Sequence, residues 1–275
     1  MSANRLVTRL AADKHSRRRG VAPFLTAGDG GLARTLACLR ALDRAGVSCV
    51  ELGLPFSDPI ADGPVLQAAA DRALAAGTTF ADVLAMLRTF RAGGSAHSAS
   101  TLPIAIMSYL NPLLVRGLDR SARELGEAGA DAWLVADVPL EESAELRLAG
   151  DSAGLATIHF VSPTTDDTRL ALAARSSQGF LYAIGRFGVT GASTDLDEGA
   201  QSFLARARAA CGDLPLAVGF GIDSADKVRA AVHHADLAIV GSALVERIHC
   251  AGGHDTDAAA AAERFVHDLR SGLTP

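Results

Sequence analysis

Lysine, cysteine and long apolar runs are scarce in this 275-residue sequence, and each shortage excludes a class of protein. The four cysteines lie far apart without a CxxC pair, which favours reduced thiols over a disulfide framework or a zinc site. No uninterrupted apolar run approaches the ~18 residues of a membrane span. The first residues, MSANRLVTRL, lack the long apolar region of a signal peptide. We therefore expect a soluble, cytoplasmic protein without a membrane partner.

The scarcity of lysine and the scatter of histidine restrict the possible catalytic chemistry. A Schiff-base aldolase needs a lysine at a strand end, but the only lysines, Lys14 and Lys227, fall on predicted helices. The eight histidines are scattered, and only His159 falls in a predicted strand, where a packed core position is favoured over metal ligation. No cofactor motif is present. We expect no metal and no cofactor, so carboxylates must carry any acid–base chemistry.

The charge balance argues against nucleic acid or an anionic membrane as a partner. The formal net charge is −5 and the sequence pI is about 5.9, so no basic footprint for nucleic acid or an anionic membrane is expected. The only dense basic run is KHSRRR at residues 14–19, which we interpret as a solvated helix end.

Short apolar segments alternate with helical segments along the chain. Strands are predicted at residues 21–28, 48–52, 102–109, 131–137, 155–161, 179–184, 214–219 and 236–241. Helices are predicted at residues 3–16, 33–45, 64–75, 79–91, 119–128, 141–148, 166–174, 199–210, 224–232, from Ser242 onward, and 257–270. Near-continuous apolar strands are typical of parallel strands buried on both faces.

Eight such βα units in a chain of this length predict one (β/α)8 TIM barrel over residues 1–275, with an extra N-terminal helix. A doubly wound open sheet is the alternative. Such a sheet usually has fewer strands and a GxGxxG fingerprint after the first, whereas here the first strand leads into TAGDGG. The barrel is therefore preferred.

The stretch CVELGLPFSDPIADGPVLQA, residues 49–68, concentrates the acidic candidates. Glu51 lies in the second predicted strand, and the loop that follows carries Asp58 and Asp62 before Gly63 and Pro64 start a helix. An acid at a strand end, faced by acids on the next loop, is a common arrangement for proton transfer. The alternative is that Glu51 is a strand-edge charge in solvent and that the two aspartates only form turns.

Two glycine-containing loops indicate a phosphate site. GFGI at 219–222 and GSAL at 241–244 follow the seventh and eighth strands, where backbone N–H groups at helix starts can bind an anion. In barrels these same loops commonly hold phosphate. The alternative is that the glycines only permit tight turns.

The run ELGLPFSDPIADGP, residues 51–64, resembles the signature of the tryptophan synthase alpha subunit family, with Pro55, Pro59 and all three acids in place. Further family-like segments follow in the right order over nearly the whole chain: PFLTAGD, MSYLNP, LVADVPLEES, GVTG, GFGI and VGSA. The resemblance implies a lyase of tryptophan biosynthesis that cleaves indole-3-glycerol phosphate to indole and glyceraldehyde 3-phosphate. It also implies a beta-subunit partner that receives the indole, in a heterotetramer.

The resemblance also implies roles for individual residues. Glu51 and Asp62 would be the catalytic pair, and Asp58 and Pro59 would face outward on the loop that meets the beta subunit. The substrate-binding residues would be Phe24, Tyr109 and Tyr182 around the indole, Thr190 on a closing loop, and Gly191, Gly221, Gly241 and Ser242 at the phosphate.

The sequence also departs from the family pattern. Gly185 stands where serine is usual, Gly30 stands where proline commonly follows the aspartate, and residues 233–236 lack glycines often seen before the eighth strand. None of these departures removes a catalytic group, but they bear on regulation by the partner. Three alternative functions stay open: a stand-alone lyase that releases free indole, a non-catalytic phosphate-binding barrel, which would not need both Glu51 and Asp62, and an isomerase of phosphoribosyl substrates, which would lack the PFSDP loop.

Overall fold

Nine parallel strands dominate the computed structural model of the protein, which describes residues 3–93, 98–185 and 197–273. The strands are β1 Gly20–Thr26, β2 Val50–Gly53, β3 Ile104–Ser108, β4 Ala132–Val135, β5 Ala156–Ile158, β6 Phe160–Val161, β7 Leu181–Ile184, β8 Leu216–Gly219 and β9 Leu237–Val240. Their order in the sheet is β5-β4-β3-β2-β1-β9-β8-β7-β6, so neighbours in sequence are neighbours in space and β1 joins β9.

The two strands at the ends of this order are parts of one extended segment. β5 and β6 together cover the predicted strand 155–161 and are separated only by His159. β5 pairs with β4, and β6 pairs with β7. The Tyr182 N–H donates to the His159 carbonyl at 3.1 Å, which continues the β6–β7 pairing across the break. The nine strands are thus the eight of a (β/α)8 barrel, and the predicted fold is confirmed.

Helices alternate with the strands around the outside of the barrel. They are α1 Arg5–His15, α2 Leu32–Arg44, α3 Pro64–Ala75, α4 Phe80–Ala92, α5 Leu110–Arg116, α6 Leu118–Ala128, α7 Ala144–Ala153, α8 Asp167–Ser176, α9 Glu198–Cys211, α10 Ala225–His234, α11 Ser242–Cys250 and α12 Asp255–Arg270. Short 3₁₀ turns occupy Leu140–Glu142 and Ser271–Leu273. Within the described ranges no single helix is long and apolar enough to cross a membrane, and α3 and α4 meet that criterion only as a pair bent by 97°.

Two helices differ from the sequence prediction. No helix was predicted at Leu110–Arg116, where the structure forms α5, and Pro112 is compatible with it because it lies in the first turn, where the helix needs no backbone donor. The helix predicted at 141–148 begins later, at Ala144, because a 3₁₀ turn precedes it, and it runs on to Ala153.

Side chains alternate between the inside and the outside of the barrel, as the two-residue period of a strand requires. The lower interior is filled by both small residues and large apolar ones, and α1 closes it from below through Leu6 and Leu10. The Asn4 side chain fixes the start of α1 by donating to the carbonyls of Asp131 at 2.7 Å and Gly154 at 2.9 Å. The N-terminal end of the barrel is therefore plugged, and an interior cavity can open only at the other end.

Candidate active site

A cavity of about 500 Å³ lies at the C-terminal ends of the strands. Its walls are the uppermost inward-facing side chains of the strands and the residues that follow them. They are Phe24, Glu51, Ala61, Asp62, Leu66, Met107, Ala136, Phe160, Ser162, Pro163, Tyr182, Ile184, Gly185, Ile239 and Gly241. The cavity is mostly apolar, and Glu51 and Asp62 are the two carboxylic acids among the described residues that line it. Such a chamber suits a flat apolar ligand that must meet acid groups.

Glu51 is buried at the inner wall of β2, with only 4% of its surface exposed. It lies in register with Phe24 of β1 and Ala105 of β3, so apolar neighbours flank it on both sides. Burial and, secondarily, the nearby charge of Asp62 raise the pKa of Glu51 to about 8, although a hydrogen bond from the Tyr182 hydroxyl opposes this shift. A solvent-exposed strand-edge charge is thereby excluded. Glu51 is largely protonated at neutral pH and can donate a proton.

Asp62 has a different environment on the loop between β2 and α3. It is only half-buried, and burial raises its pKa, while a hydrogen bond from the Tyr109 hydroxyl acts in the opposite direction. The same Tyr109 oxygen accepts from the Ala61 N–H at 3.1 Å, so one phenol holds both the backbone and the carboxylate of the loop. The two carboxyls therefore sit in contrasting surroundings, an arrangement that separates an acid from an ionised partner.

Tyr182 of β7 links Glu51 to the opposite side of the barrel. Burial raises the pKa of its phenol well above 10, so it acts as a hydrogen-bond donor to Glu51. A side chain at Gly219 would place its Cβ 2.7 Å from the Tyr182 hydroxyl oxygen, so β8 needs a glycine there to admit the ring. Phe160 packs against the other side of Tyr182, with 4.9 Å between ring centroids.

The apolar wall contains several residues that the sequence analysis did not single out. Met107, Phe160, Ile184 and Ile239 all line the cavity. Each occupies an inward position two residues beyond another inward residue of its strand, so the strand period was the signal that could have found them. Phe24, which was predicted, lies among them, and Gly53 leaves room for its ring because a Cβ there would come within 2.6 Å of Phe24 Cζ.

The N-terminus of α11 faces the rim of the cavity. Gly241 lines the cavity and caps the helix without a side chain, and among the described residues the N–H groups of Ser242 and Ala243 make no recorded hydrogen bond. Free N–H groups and the helix dipole make this end suited to an anion such as phosphate. Gly241 and Ser242 therefore occupy the place that the sequence analysis gave them.

The other loop predicted to hold phosphate is arranged differently. α10 begins only at Ala225, and the Ser224 side chain caps it by accepting from the Lys227 N–H, so residues 219–222 are not a helix start. Gly221 has a φ of +73°, which favours glycine, but it does not line the cavity. Thr190 and Gly191 lie outside the described residues.

Comparisons with known proteins agree with this geometry. Residues 10–273 match the family described as tryptophan synthase alpha chain. The chain belongs to the tryptophan synthase alpha chain family. A tryptophan synthase alpha chain from Gluconacetobacter diazotrophicus is 47% identical over 243 residues, covering 88% of this chain and 86% of that one.

Two solved structures extend the comparison to the fold. Tryptophan synthase subunit alpha from Legionella pneumophila superposes with a TM-score of 0.87 at 32% identity, and 99% of each chain is covered. A chain of the tryptophan synthase a2b2 complex from Pyrococcus furiosus superposes with a TM-score of 0.83 at 33% identity, covering 92% of this chain and 99% of that one.

The loop between β2 and α3, on which the family resemblance was first based, differs from expectation at one residue. Asp58 is exposed, as predicted, but Pro59 is buried and lines a small gap with Phe56, Leu66 and Tyr109. The prediction that Pro59 faces outward is therefore wrong. The Asp62 N–H donates to the Pro59 carbonyl at 3.0 Å, and this turn directs the proline ring inward while Ile60, 81% exposed, takes the outer position.

Gly185 is the departure from the family pattern that lies nearest to the cavity. A Cβ at this position would come within 2.4 Å of the Phe220 ring, which is fully buried and stacks on Phe203 with 6.4 Å between centroids. In this member of the tryptophan synthase alpha chain family, Phe220 thus occupies the space that a side chain at position 185 would need.

Histidine and the other potential ligand groups form no metal site in the part of the chain that the structure describes: no cluster of three or more His, Cys, Asp or Glu side chains occurs there. His159 is buried where β5 meets β6, and burial lowers its pKa to about 4, so the ring stays neutral. Its Nε2 has no hydrogen-bond partner among residues 3–93, 98–185 and 197–273.

Proposed function

We propose that this chain is a lyase that cleaves indole-3-glycerol phosphate to indole and glyceraldehyde 3-phosphate in tryptophan biosynthesis. The observation that carries the proposal is the buried, high-pKa Glu51 facing Asp62 across an apolar cavity with a helix N-terminus at its rim. Membership of the tryptophan synthase alpha chain family supports it. The near full-length match does not favour the stand-alone lyase or the non-catalytic barrel. A cytoplasmic location is proposed on the same basis, and four free cysteines are consistent with it.

Cleavage requires that one proton move from the substrate hydroxyl to the indole ring. Protonated Glu51 donates to indole C3, which converts the ring to its iminium form. The resulting carboxylate then takes the proton of the hydroxyl on the carbon attached to C3. As that oxygen becomes a carbonyl, the bond to C3 breaks and its electron pair restores the indole. Glu51 ends protonated, so the cycle needs no cofactor.

Asp62 stabilises the charge that develops in this sequence. In its ionised form, close to the ring N–H, it lowers the energy of the iminium, while the Tyr109 hydroxyl holds the carboxylate in place. Tyr182 positions Glu51 in the same way from the other side. Phe24, Phe160 and Tyr182 would enclose the indole, and the N–H groups of Ser242 and Ala243 would bind the phosphate.

The direct test is an assay of indole release from indole-3-glycerol phosphate by the purified chain, with a chelator present. We expect indole and glyceraldehyde 3-phosphate in equal amounts, with no loss of rate after chelation and no adduct trapped by borohydride. The proposal fails if the chain binds the substrate but releases no indole, whether alone or with a beta subunit.

Gly241→Val tests the phosphate site. The new side chain would enter the cavity beside Leu66 and Phe24, where a Cβ already contacts both at 3.9 Å, and would obstruct the approach of phosphate to the helix N-terminus. We expect KM to rise about tenfold or more, with a much smaller change in unfolding temperature. Gly253→Val, placed in open space beyond α11, is the control and should change neither. Equal turnover of dephosphorylated and phosphorylated substrate by the wild type would contradict a phosphate site.

We also propose that the chain works with a beta subunit, as the a2b2 assembly of its Pyrococcus relative suggests. The loop 54–63 connects exposed Asp58 and Ile60 to Asp62, so a protein bound at its tip could hold Asp62 in the working position. A free loop adopts that position only part of the time, and activity falls by the same fraction.

We expect a beta subunit to accelerate indole release by about tenfold or more. Asp58→Ala and Ile60→Ser should reduce the acceleration but not the basal rate, whereas buried Pro59→Ala should lower both. Leu148→Ser, which changes a 67% exposed residue on α7, is the control. A chain that is already fast alone and indifferent to saturating beta subunit would instead be a stand-alone lyase.

A further inference from the structure

A second and larger cleft lies at the end of the barrel opposite the candidate active site. It has a volume of about 840 Å³ and runs between the end of α1, the end of α10 and the end of α12. Five arginines line it, Arg17, Arg18, Arg19, Arg229 and Arg270, together with His233 and His267. None of the described residues that line this basic cleft is acidic. Such a concentration of positive charge is unexpected in a chain whose net charge is −5.

Nearby carboxylates neutralise only part of this charge. Asp13 pairs with Arg18 but also with Arg9, and Asp236 pairs with Arg19 but also with Arg208. Each carboxylate is thus divided between two guanidinium groups.

The remaining arginines of the basic cleft leave a positive excess. Arg229 has a carboxylate of its own, Asp226, at 2.6 Å. Within the described ranges Arg17 and Arg270 form no ion pair, and Arg270 donates only to the Ala45 carbonyl. The cleft therefore keeps a net positive charge that faces solvent.

Arg17 is held in a backbone conformation that arginine disfavours. Its φ is +54°, and among the described residues it is the one non-glycine residue with positive φ. It follows the end of α1, where the Arg17 N–H bonds to the Lys14 carbonyl at 2.9 Å and the Arg18 N–H bonds to the Asp13 carbonyl at 2.8 Å. Glycine is the usual residue at this position of a helix end. In the part of the chain that the structure describes, the exposed Arg17 side chain has no hydrogen-bond or ion-pair partner that would offset the strain, and strain of this kind points to a role outside folding.

We propose that the basic cleft binds a compact polyphosphate anion, either free inorganic polyphosphate or the triphosphate group of a nucleotide. A guanidinium group can donate two parallel hydrogen bonds to the oxygens of a phosphate. Several guanidinium groups that come from three helices suit an anion with several charges. The cleft is far larger than one phosphate group. Once bound, the anion bridges α1, α10 and α12, which are distant in sequence, and so stabilises the fold.

The test uses the whole chain and two variants. Calorimetry at fixed ionic strength should show that inorganic tripolyphosphate binds about tenfold more tightly than orthophosphate. Arg17→Gly should weaken tripolyphosphate binding by about fivefold or more while raising the unfolding temperature without ligand, because glycine accepts positive φ. Arg88→Ala, which removes an exposed arginine on α4, should change neither quantity. Indole release should be the same in all three proteins, so the outcome does not depend on the proposed function.

Two further comparisons complete the test. A nucleoside triphosphate that binds more tightly than tripolyphosphate would identify a nucleotide as the ligand, and equal binding would identify the phosphate chain alone. The proposal is overturned if tripolyphosphate binds no better than orthophosphate, or if Arg17→Gly binds it as tightly as the wild type.

Discussion

Glu51→Gln is expected to lower kcat for indole release by about 10²–10⁴-fold while the barrel stays folded. The amide keeps the shape of the side chain and can still accept a hydrogen bond from Tyr182. It cannot donate a proton to C3 and then take one from the hydroxyl. KM should change little, because the apolar walls and the helix N-terminus that would bind the substrate are untouched.

Single-turnover and steady-state assays of indole release measure this effect. Glu51→Asp, which keeps an acid but withdraws it by one methylene, should retain part of the activity. Glu145→Gln, on the exposed side of α7, should behave as the wild type. Activity of Glu51→Gln within a few-fold of the wild type would exclude Glu51 as the proton donor.

The raised pKa of Glu51 predicts that activity and stability both fall as the pH rises. Because the protonated form starts the reaction, the rate should fall as pH rises through about 8. The pKa of Glu51 is higher in the folded state than in the unfolded chain, so binding of this proton stabilises the fold. The stabilisation is complete below about pH 4.3 and is lost progressively as the pH rises to the folded-state pKa. Glu51→Gln should therefore unfold at a higher temperature than the wild type at pH 8, with the gap closing toward pH 5. A wild type that is as stable as the variant at pH 8 would contradict the shifted pKa.

The barrel could be predicted from the sequence because its strands are short apolar runs and its helices have polar faces. These signals are local, so the eight strand positions survive in the structure. Details that depend on contacts with other parts of the chain could not be predicted in this way. On either side of His159, β5 pairs with β4 and β6 pairs with β7, and no local window of sequence contains this pairing. The helix α5 around Pro112 was not predicted either.

The candidate site likewise has features that could be predicted from the sequence and features that could not. Glu51 and Asp62 lie within one short stretch, and the structure brings both to one cavity, as proposed from the sequence. The hydrogen bonds from Tyr182 to Glu51 and from Tyr109 to Asp62 join elements far apart in the chain, so sequence could suggest these tyrosines only as pocket walls. Pro59 was misplaced for the same reason, since its burial depends on Leu66 and Tyr109.

Asp62→Asn is expected to reduce kcat by about 10²–10³-fold, because the amide carries no charge to stabilise the iminium. Tyr109→Phe should act through Asp62: without the phenol, the pKa of Asp62 rises further and the Ala61 N–H loses its acceptor. We expect about a tenfold loss for Tyr109→Phe, with the acidic limb of the rate profile moved to higher pH.

The double variant Asp62→Asn/Tyr109→Phe separates positioning from independent catalysis. If Tyr109 works by holding the ionised Asp62, it has nothing left to hold once the charge is gone, and the double variant should be nearly as active as Asp62→Asn alone. Rates from the four proteins, measured at one pH on the plateau, give the coupling directly. Additive losses would show that Tyr109 contributes by a separate route, and an unshifted profile for Tyr109→Phe would show that its hydroxyl does not set the charge of Asp62.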